Sequence, residues 1–317
     1  MKGTLIDWFY ALRHRLTARR EVVYEPWHPF RTQQARDRYF ASLVAREARW
    51  PSETETREVE TSWARTFVRI NGPSDAPPLL LLHGASTNSL SWEPNVTALS
   101  TKFRTYAVDN PWDLGKSVYH RDATRSDDFL SWLDELCDAL GFDHPIDVAG
   151  MSYGAWITAL FALRRPARVR RAVLIAPALT VLNVRLIWVL RALTSGLHPW
   201  LSKNFARWTL ADALDQGDYE RLLVSEVAGD GLVFARDLRP RRAVIPTKLS
   251  DEALASIEAP TLVLIGEHEK IYDPRAAVER VQRVAPKIAI EVVKSAGHEV
   301  ALSQRARVNE RVLRFLS

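Results

Sequence analysis

Three short stretches of the 317-residue chain carry side chains whose types and order suit acyl transfer. They are Gly150-Met151-Ser152-Tyr153-Gly154, Gly266-Glu267-His268-Glu269 and Ala296-Gly297-His298. A serine hydroxyl is a weak nucleophile, so it needs a base to take its proton and an acid to orient that base. Ser152 offers the hydroxyl and His298 the imidazole. The acid is open among Glu269, Asp273 and Glu267, with Glu269 preferred. A fourth stretch, His83-Gly84-Ala85, supplies the N–H of Ala85, which with that of Tyr153 would make a two-donor oxyanion hole. His83 itself reads as a brace for its turn.

These groups need a scaffold that brings distant loops to one edge, and the hydrophobic pattern provides it. The apolar run 145–150 reads as a buried strand that turns sharply into a helix, with Ser152 at the tip. Glycine is needed at 150 and 154 because any side chain there would collide with the neighbouring strand or helix. Runs 79–82, 104–108, 172–176, 261–265 and 288–293 are further buried strands, and 58–61 with 64–70 suggest an opening antiparallel hairpin. Between them lie helices, one capped by Ser126 and stopped by Gly141, others near 274–284 and 301–315. Apolar strands alternating with helices predict an α/β fold, a mostly parallel central sheet with helices on both faces. In such a sheet the loops after the strands converge at the carboxyl edge.

The rhythm breaks over residues 178–250, which read as helices with turns at Gly217 and Gly229-Asp230-Gly231. We take this as an inserted helical cap or lid, its Trp188, Trp200 and Trp208 suggesting an apolar acyl pocket. The core then comprises 57–177 and 251–317, preceded by an N-terminal helical extension, 1–56, with one helix at 35–50. Within it Leu5, Phe9, Leu12 and Leu16 draw one apolar stripe beside Lys2, Arg13, Arg15, Arg19 and Arg20. The expected role is a helix docked on the domain or on a second copy in a homodimer; peripheral contact with an anionic membrane is the alternative. Asp7 argues against a secretory signal, and a cytoplasmic location is expected.

Other functions are disfavoured. A single cysteine, Cys137, excludes an internal disulfide framework. The eight histidines show no metal-ligand spacing, and no metal or cofactor is expected. Gly115-Lys116-Ser117 lacks the glycine that a phosphate loop needs at 110, where Asn stands. A net charge of +5 without any recognition motif gives no reason to expect nucleic acid; Arg164, Arg165, Arg168, Arg170 and Arg171 fall where a helix should end.

From about residue 57 to 317 the chain resembles the α/β-hydrolase superfamily, and within it the bacterial carboxylesterase-like serine hydrolases. The resemblance rests on Leu81-Leu82-His83-Gly84-Ala85, Tyr106-Ala107-Val108-Asp109, Gly115-Lys116-Ser117, Gly150-Met151-Ser152-Tyr153-Gly154, Leu264-Ile265-Gly266-Glu267-His268-Glu269, Ile271-Tyr272-Asp273-Pro274 and Ala296-Gly297-His298. It implies Ser152 as nucleophile, His298 as general base and then acid, Glu269 as orienting carboxylate, and Ala85 with Tyr153 as oxyanion donors. It departs at Glu269, where the superfamily usually has Asp. The function implied is hydrolysis of carboxylic esters with small to medium apolar acyl groups through an acyl-enzyme. Acyl transfer or cyclisation in small-molecule biosynthesis would use the same triad. A non-catalytic ligand-binding member is disfavoured because Ser152 and His298 are both present.

Overall fold

Residues 79 to 82 are four consecutive leucines, a pattern that is stable only where both faces of a strand are covered. In the computed structural model, which describes residues 26–195, 197–239 and 244–317, they form the centre of the sheet. The strands are β1 (Glu55–Glu60), β2 (Ala64–Asn71), β3 (Pro78–Leu82), β4 (Arg104–Val108), β5 (Val118–Tyr119), β6 (Ile146–Met151), β7 (Val169–Ile175), β8 (Thr261–Gly266) and β9 (Ala289–Val293). They lie in the order β1-β2-β4-β3-β6-β7-β8-β9, with β5 paired to β2. From β4 to β9 every neighbouring pair is parallel, whereas β1, β2 and β5 add antiparallel pairs at one side.

Helices cover both faces. On one, α3 (Ser126–Ala139), α4 (Tyr153–Arg164) and α10 (Pro274–Val284) bury Leu133, Leu160 and Val281. On the other, α1 (Gln33–Glu47), α2 (Glu93–Leu99) and α12 (Arg305–Leu316) bury Tyr39, Val96 and Val312. The arginines after α4 do not form a free cationic patch, because Arg164, Arg165, Arg168 and Arg170 pair with Asp127, Asp134, Asp138 and Asp147.

Several boundaries differ from expectation for local reasons. Ser126 is the first residue of α3 and not its cap; the cap is Arg125, and the Asp128 carboxylate reaches back to accept from the N–H groups of Thr124 and Arg125 at 2.7 and 2.9 Å. Gly141 ends the helix with φ 77°, letting Phe142 N–H reach Cys137 C=O. Cys137 is buried, which pushes its thiol up to about 12 and leaves it unreactive. Helix α1 spans 33–47 rather than 35–50, begun by the Thr32 hydroxyl accepting from Ala35 N–H. The final helix breaks at Gln304 into α11 (Val300–Ser303) and α12.

Between β7 and β8 the chain runs through α5 (Leu186–Ser195), α6 (Pro199–Thr209), α7 (Ala211–Leu214) and α8 (Asp218–Arg236), followed by α9 (Asp251–Ala255). The turn expected at Gly229-Asp230-Gly231 is absent, and α8 runs straight through it. The buried Arg46 of α1 holds the equally buried Asp230 by two hydrogen bonds of 2.8 and 3.0 Å, a tertiary pairing that overrides local glycine preference. Among the described residues no helix is long and apolar enough to cross a membrane. The amphipathic stripe read at 1–20 lies outside the described residues.

Candidate active site

Strand β6 ends at Met151 and α4 begins at Tyr153, so the whole reversal falls on Ser152, which adopts φ 51° and ψ −110°. That conformation costs a non-glycine residue about 1–3 kcal/mol and persists only where its surroundings enforce it. They do so tightly: a Cβ on Gly150 would overlap the Gly154 carbonyl, and one on Gly154 would overlap the carbonyls of Leu82 and His83. Ser152 N–H also donates to Ile175 C=O at 2.8 Å. The hydroxyl is thereby held at the positive end of α4.

The loops after β8 and β9 are joined to each other. Glu267 N–H donates to Val293 C=O at 2.9 Å and His268 N–H to Ala296 C=O at 2.8 Å. This union brings Glu269 to His298, with Oε2 2.8 Å from Nδ1. The second oxygen of the fully buried carboxylate accepts from Ile271 N–H at 2.8 Å. On its other side His298 places Nε2 2.9 Å from Ser152 Oγ. An ionised Glu269 fixes the proton on Nδ1 and leaves Nε2 free to accept from the serine hydroxyl. Burial opposes charging of the imidazole, but the charge and hydrogen bond of Glu269, with a smaller contribution from Glu299, outweigh it and hold His298 above its ordinary value.

The two other candidate acids are occupied elsewhere. Asp273 caps α10, its Oδ1 accepting from Arg275 and Ala276 N–H groups at 2.9 and 3.1 Å. Glu267 is exposed and accepts from Ser295 N–H at 3.2 Å. Among these carboxylates only Glu269 is hydrogen-bonded to His298.

His83 braces the loop after β3. Its Nδ1 lies 2.8 Å from Gly84 C=O and its Nε2 accepts from Asn110 N–H at 2.9 Å. The braced loop lies close to Ser152, since a Cβ on Gly84 would stand 3.4 Å from Ser152 Cβ. Ala85 follows directly, and Tyr153 is the first residue of α4. Tyr153 also donates its hydroxyl to Val244 C=O at 2.7 Å, so the returning end of the helical insertion is fastened to the residue beside Ser152. At the insertion's start, Arg185 N–H donates to Ile271 C=O at 2.7 Å, two residues from Glu269.

Of the three tryptophans expected at an acyl pocket, Trp188 and Trp208 both pack on Phe205, with ring centroids 5.4 and 6.5 Å from it. Trp188 is partly buried against the main core and meets Phe205 edge-on. Trp208 lies beneath Arg191, whose guanidinium is 4.4 Å above its ring. Trp200 is exposed at the start of α6, where the preceding Pro199 launches the helix from the surface.

Two polar residues escaped sequence reasoning. Glu299, directly after His298, accepts from Ala213 N–H of α7 at 3.2 Å, and the adjacent Asp212 holds His268 Nδ1 at 3.0 Å. Burial, with repulsion from Asp212, pushes the Glu299 carboxyl up to about 7. These contacts join residues 56 and 86 positions apart, and no local pattern announces them. Among the described residues no three His, Cys, Asp or Glu side chains cluster to hold a metal ion.

A mostly parallel sheet with serine, glutamate and histidine meeting at its carboxyl edge defines the α/β hydrolase class. The alpha/beta hydrolase family model matches residues 79–311, and the chain belongs to that family. Carboxylesterase YbfK of Bacillus subtilis is 36% identical over 269 residues, taking in 84% of this chain and 89% of that protein. The crystal structure of naproxen esterase (carboxylesterase NP) from B. subtilis superimposes with a TM-score of 0.82 at 34% identity, over 90% of this chain and 99% of the other. That of carboxylesterase CesB (YbfK) does so with a TM-score of 0.80 at 34% identity, over 89% and 98%.

Proposed function

We propose that the protein hydrolyses carboxylic esters with small to medium, mostly apolar acyl groups, using Ser152, His298 and Glu269. The observation that carries this reading is the unbroken line from Ser152 Oγ to His298 Nε2 at 2.9 Å and from His298 Nδ1 to Glu269 Oε2 at 2.8 Å. The relatives named carboxylesterases, at about a third identity over most of the chain, support the same chemistry.

In the first half-reaction His298 takes the Ser152 proton as Oγ attacks the ester carbonyl carbon. The carbonyl oxygen becomes an anion that the N–H groups of Ala85 and Tyr153 meet at the α4 N-terminus. Glu269 stabilises the imidazolium. The tetrahedral adduct collapses, the alcohol leaves with the proton from His298 Nε2, and the acyl group stays on Ser152. Water then gives a proton to His298 and attacks the acyl carbon; collapse frees the acid and returns the proton to Ser152. The helices at 178–250 act as a cap whose apolar residues receive the acyl chain, and a cytoplasmic setting belongs to the same reading.

A ladder of p-nitrophenyl esters from acetyl to palmitoyl, with intact mass after fluorophosphonate labelling, tests the proposal. Turnover and a single adduct, both lost in Ser152→Ala, are expected. Labelling without turnover would favour transfer to an acceptor other than water, and folded protein showing neither would favour ligand binding without catalysis.

A further inference from the structure

Helix α5 carries no buried residue, and its apolar face points outward. Leu186 is 65% exposed, and Ile187, Leu190 and Leu193 on the same stripe are exposed as well. The turn into α6 continues the patch with Leu197, 77% exposed, and Trp200, 63% exposed. Large apolar side chains gathered so openly mark a contact surface.

The charges around the patch say which kind. From Val148 to Ala211 the sequence contains no Asp or Glu. Arg185 borders the leucine stripe, and Lys203 and Arg207 share one face of α6 with Trp200; all three are exposed. Among the described residues none of the three enters an ion pair. The acidic residues of α8, which packs against α6, are engaged elsewhere: Asp218 with Arg221, Glu220 with Arg305, Glu226 with Arg49 and Asp230 with Arg46. Helices α5 and α6 therefore present an apolar patch with cations and no acid of their own beside it.

We propose that this face docks on an anionic lipid surface, with Leu190, Leu193, Leu197 and Trp200 entering the headgroup region and Lys203 and Arg207 meeting phosphates. A two-fold dimer through the same face would set cationic rim against cationic rim. Residues 1–20, with five cations to one acid, are repelled in the same way. An anionic bilayer satisfies both components, and a tryptophan at the edge of the apolar patch suits the bilayer interface.

The test is co-sedimentation of the full chain with vesicles of phosphatidylcholine alone or mixed with phosphatidylglycerol. Binding to the mixed vesicles is expected, weakened by salt. Leu190→Ser with Leu193→Ser should lower it at least tenfold, and Lys203→Gln with Arg207→Gln about 25-fold, near fivefold per cation. All four side chains are exposed, so the melting temperature should not change. As a check on the folded wild type, brominated lipids should quench a fluorescence component that Trp200→Phe lacks. Failure of the wild-type chain to bind, equal binding to both vesicle types, or normal binding by both double variants would overturn the proposal. So would a concentration-dependent dimer dispersed by the leucine changes.

Discussion

Gly266 and Gly297 meet backbone to backbone: a Cβ on Gly266 would overlap the carbonyl oxygens of both Gly297 and Ala296. This contact lets the loop bearing Glu269 and the loop bearing His298 lie side by side. Gly266→Ala should force them apart and lower kcat for ester hydrolysis by 100-fold or more, since displacing a catalytic group by about 1 Å costs that much. Steady-state kinetics on the variant checks it.

Gly229 and Gly231 offer the opposite case. A Cβ at either meets nothing within 4 Å, and both sit inside α8. Gly229→Ala with Gly231→Ala should stabilise the fold by about 0.5–1 kcal/mol per site through helix propensity, read as a higher melting temperature with kcat unchanged.

Glu269→Gln keeps the shape of the carboxylate but no longer fixes the proton on His298 Nδ1, and kcat should fall about 10⁴-fold. Asp273→Ala should leave kcat intact and lower stability by about 1 kcal/mol through loss of the α10 cap. The pair of measurements separates the two acids.

The base works only as neutral imidazole, so a raised His298 value moves the acid limb of kcat/KM to higher pH than an unperturbed histidine would give. Glu299→Gln keeps an acceptor for Ala213 N–H and removes a negative charge that favours the imidazolium; the limb should move down in pH. The same substitution should alter stability. In the folded protein the Glu299 carboxyl holds its proton up to about 7, whereas in the unfolded chain it loses it in the ordinary glutamate range. The folded state therefore binds more protons between those limits, and its stability from this group falls as pH rises through them. Denaturant unfolding across that window should show a shallower decline in Glu299→Gln.

Arg46→Met would strand the Asp230 carboxylate, buried against α1 and already pushed up to about 6 with its partner present. A loss of about 3–5 kcal/mol is expected at neutral pH, measured by urea unfolding.

The elements that could be anticipated were those written in contiguous residues. Ser152 sits between two glycines at a strand end, Glu269 follows the buried β8, and the four leucines of β3 admit no other place than the sheet centre, whereas the run before His298, expected to be buried, is the half-buried edge strand β9. What escaped depends on side chains meeting across the fold. Gly229-Asp230-Gly231 has the composition of a turn, yet it lies within α8, where Asp230 pairs with Arg46, 184 residues away. Glu299 carries no local signal, because its partner, the N–H of Ala213 of α7, lies 86 residues away. Trp200 is 63% exposed at the first turn of α6, and no local pattern tells such an outward tryptophan from one turned inward.

Ser152 follows β6, while His298 and Glu269, its base and orienting acid in the proposed mechanism, follow β9 and β8, beyond the whole helical insertion. During synthesis, then, the strained serine, the loop of His83 to Ala85 and the helical insertion leave the ribosome before either partner of the serine. On the proposed mechanism the serine has no base until the loop carrying His298 has been made and docked, so ester hydrolysis should begin only once β9 has joined the sheet.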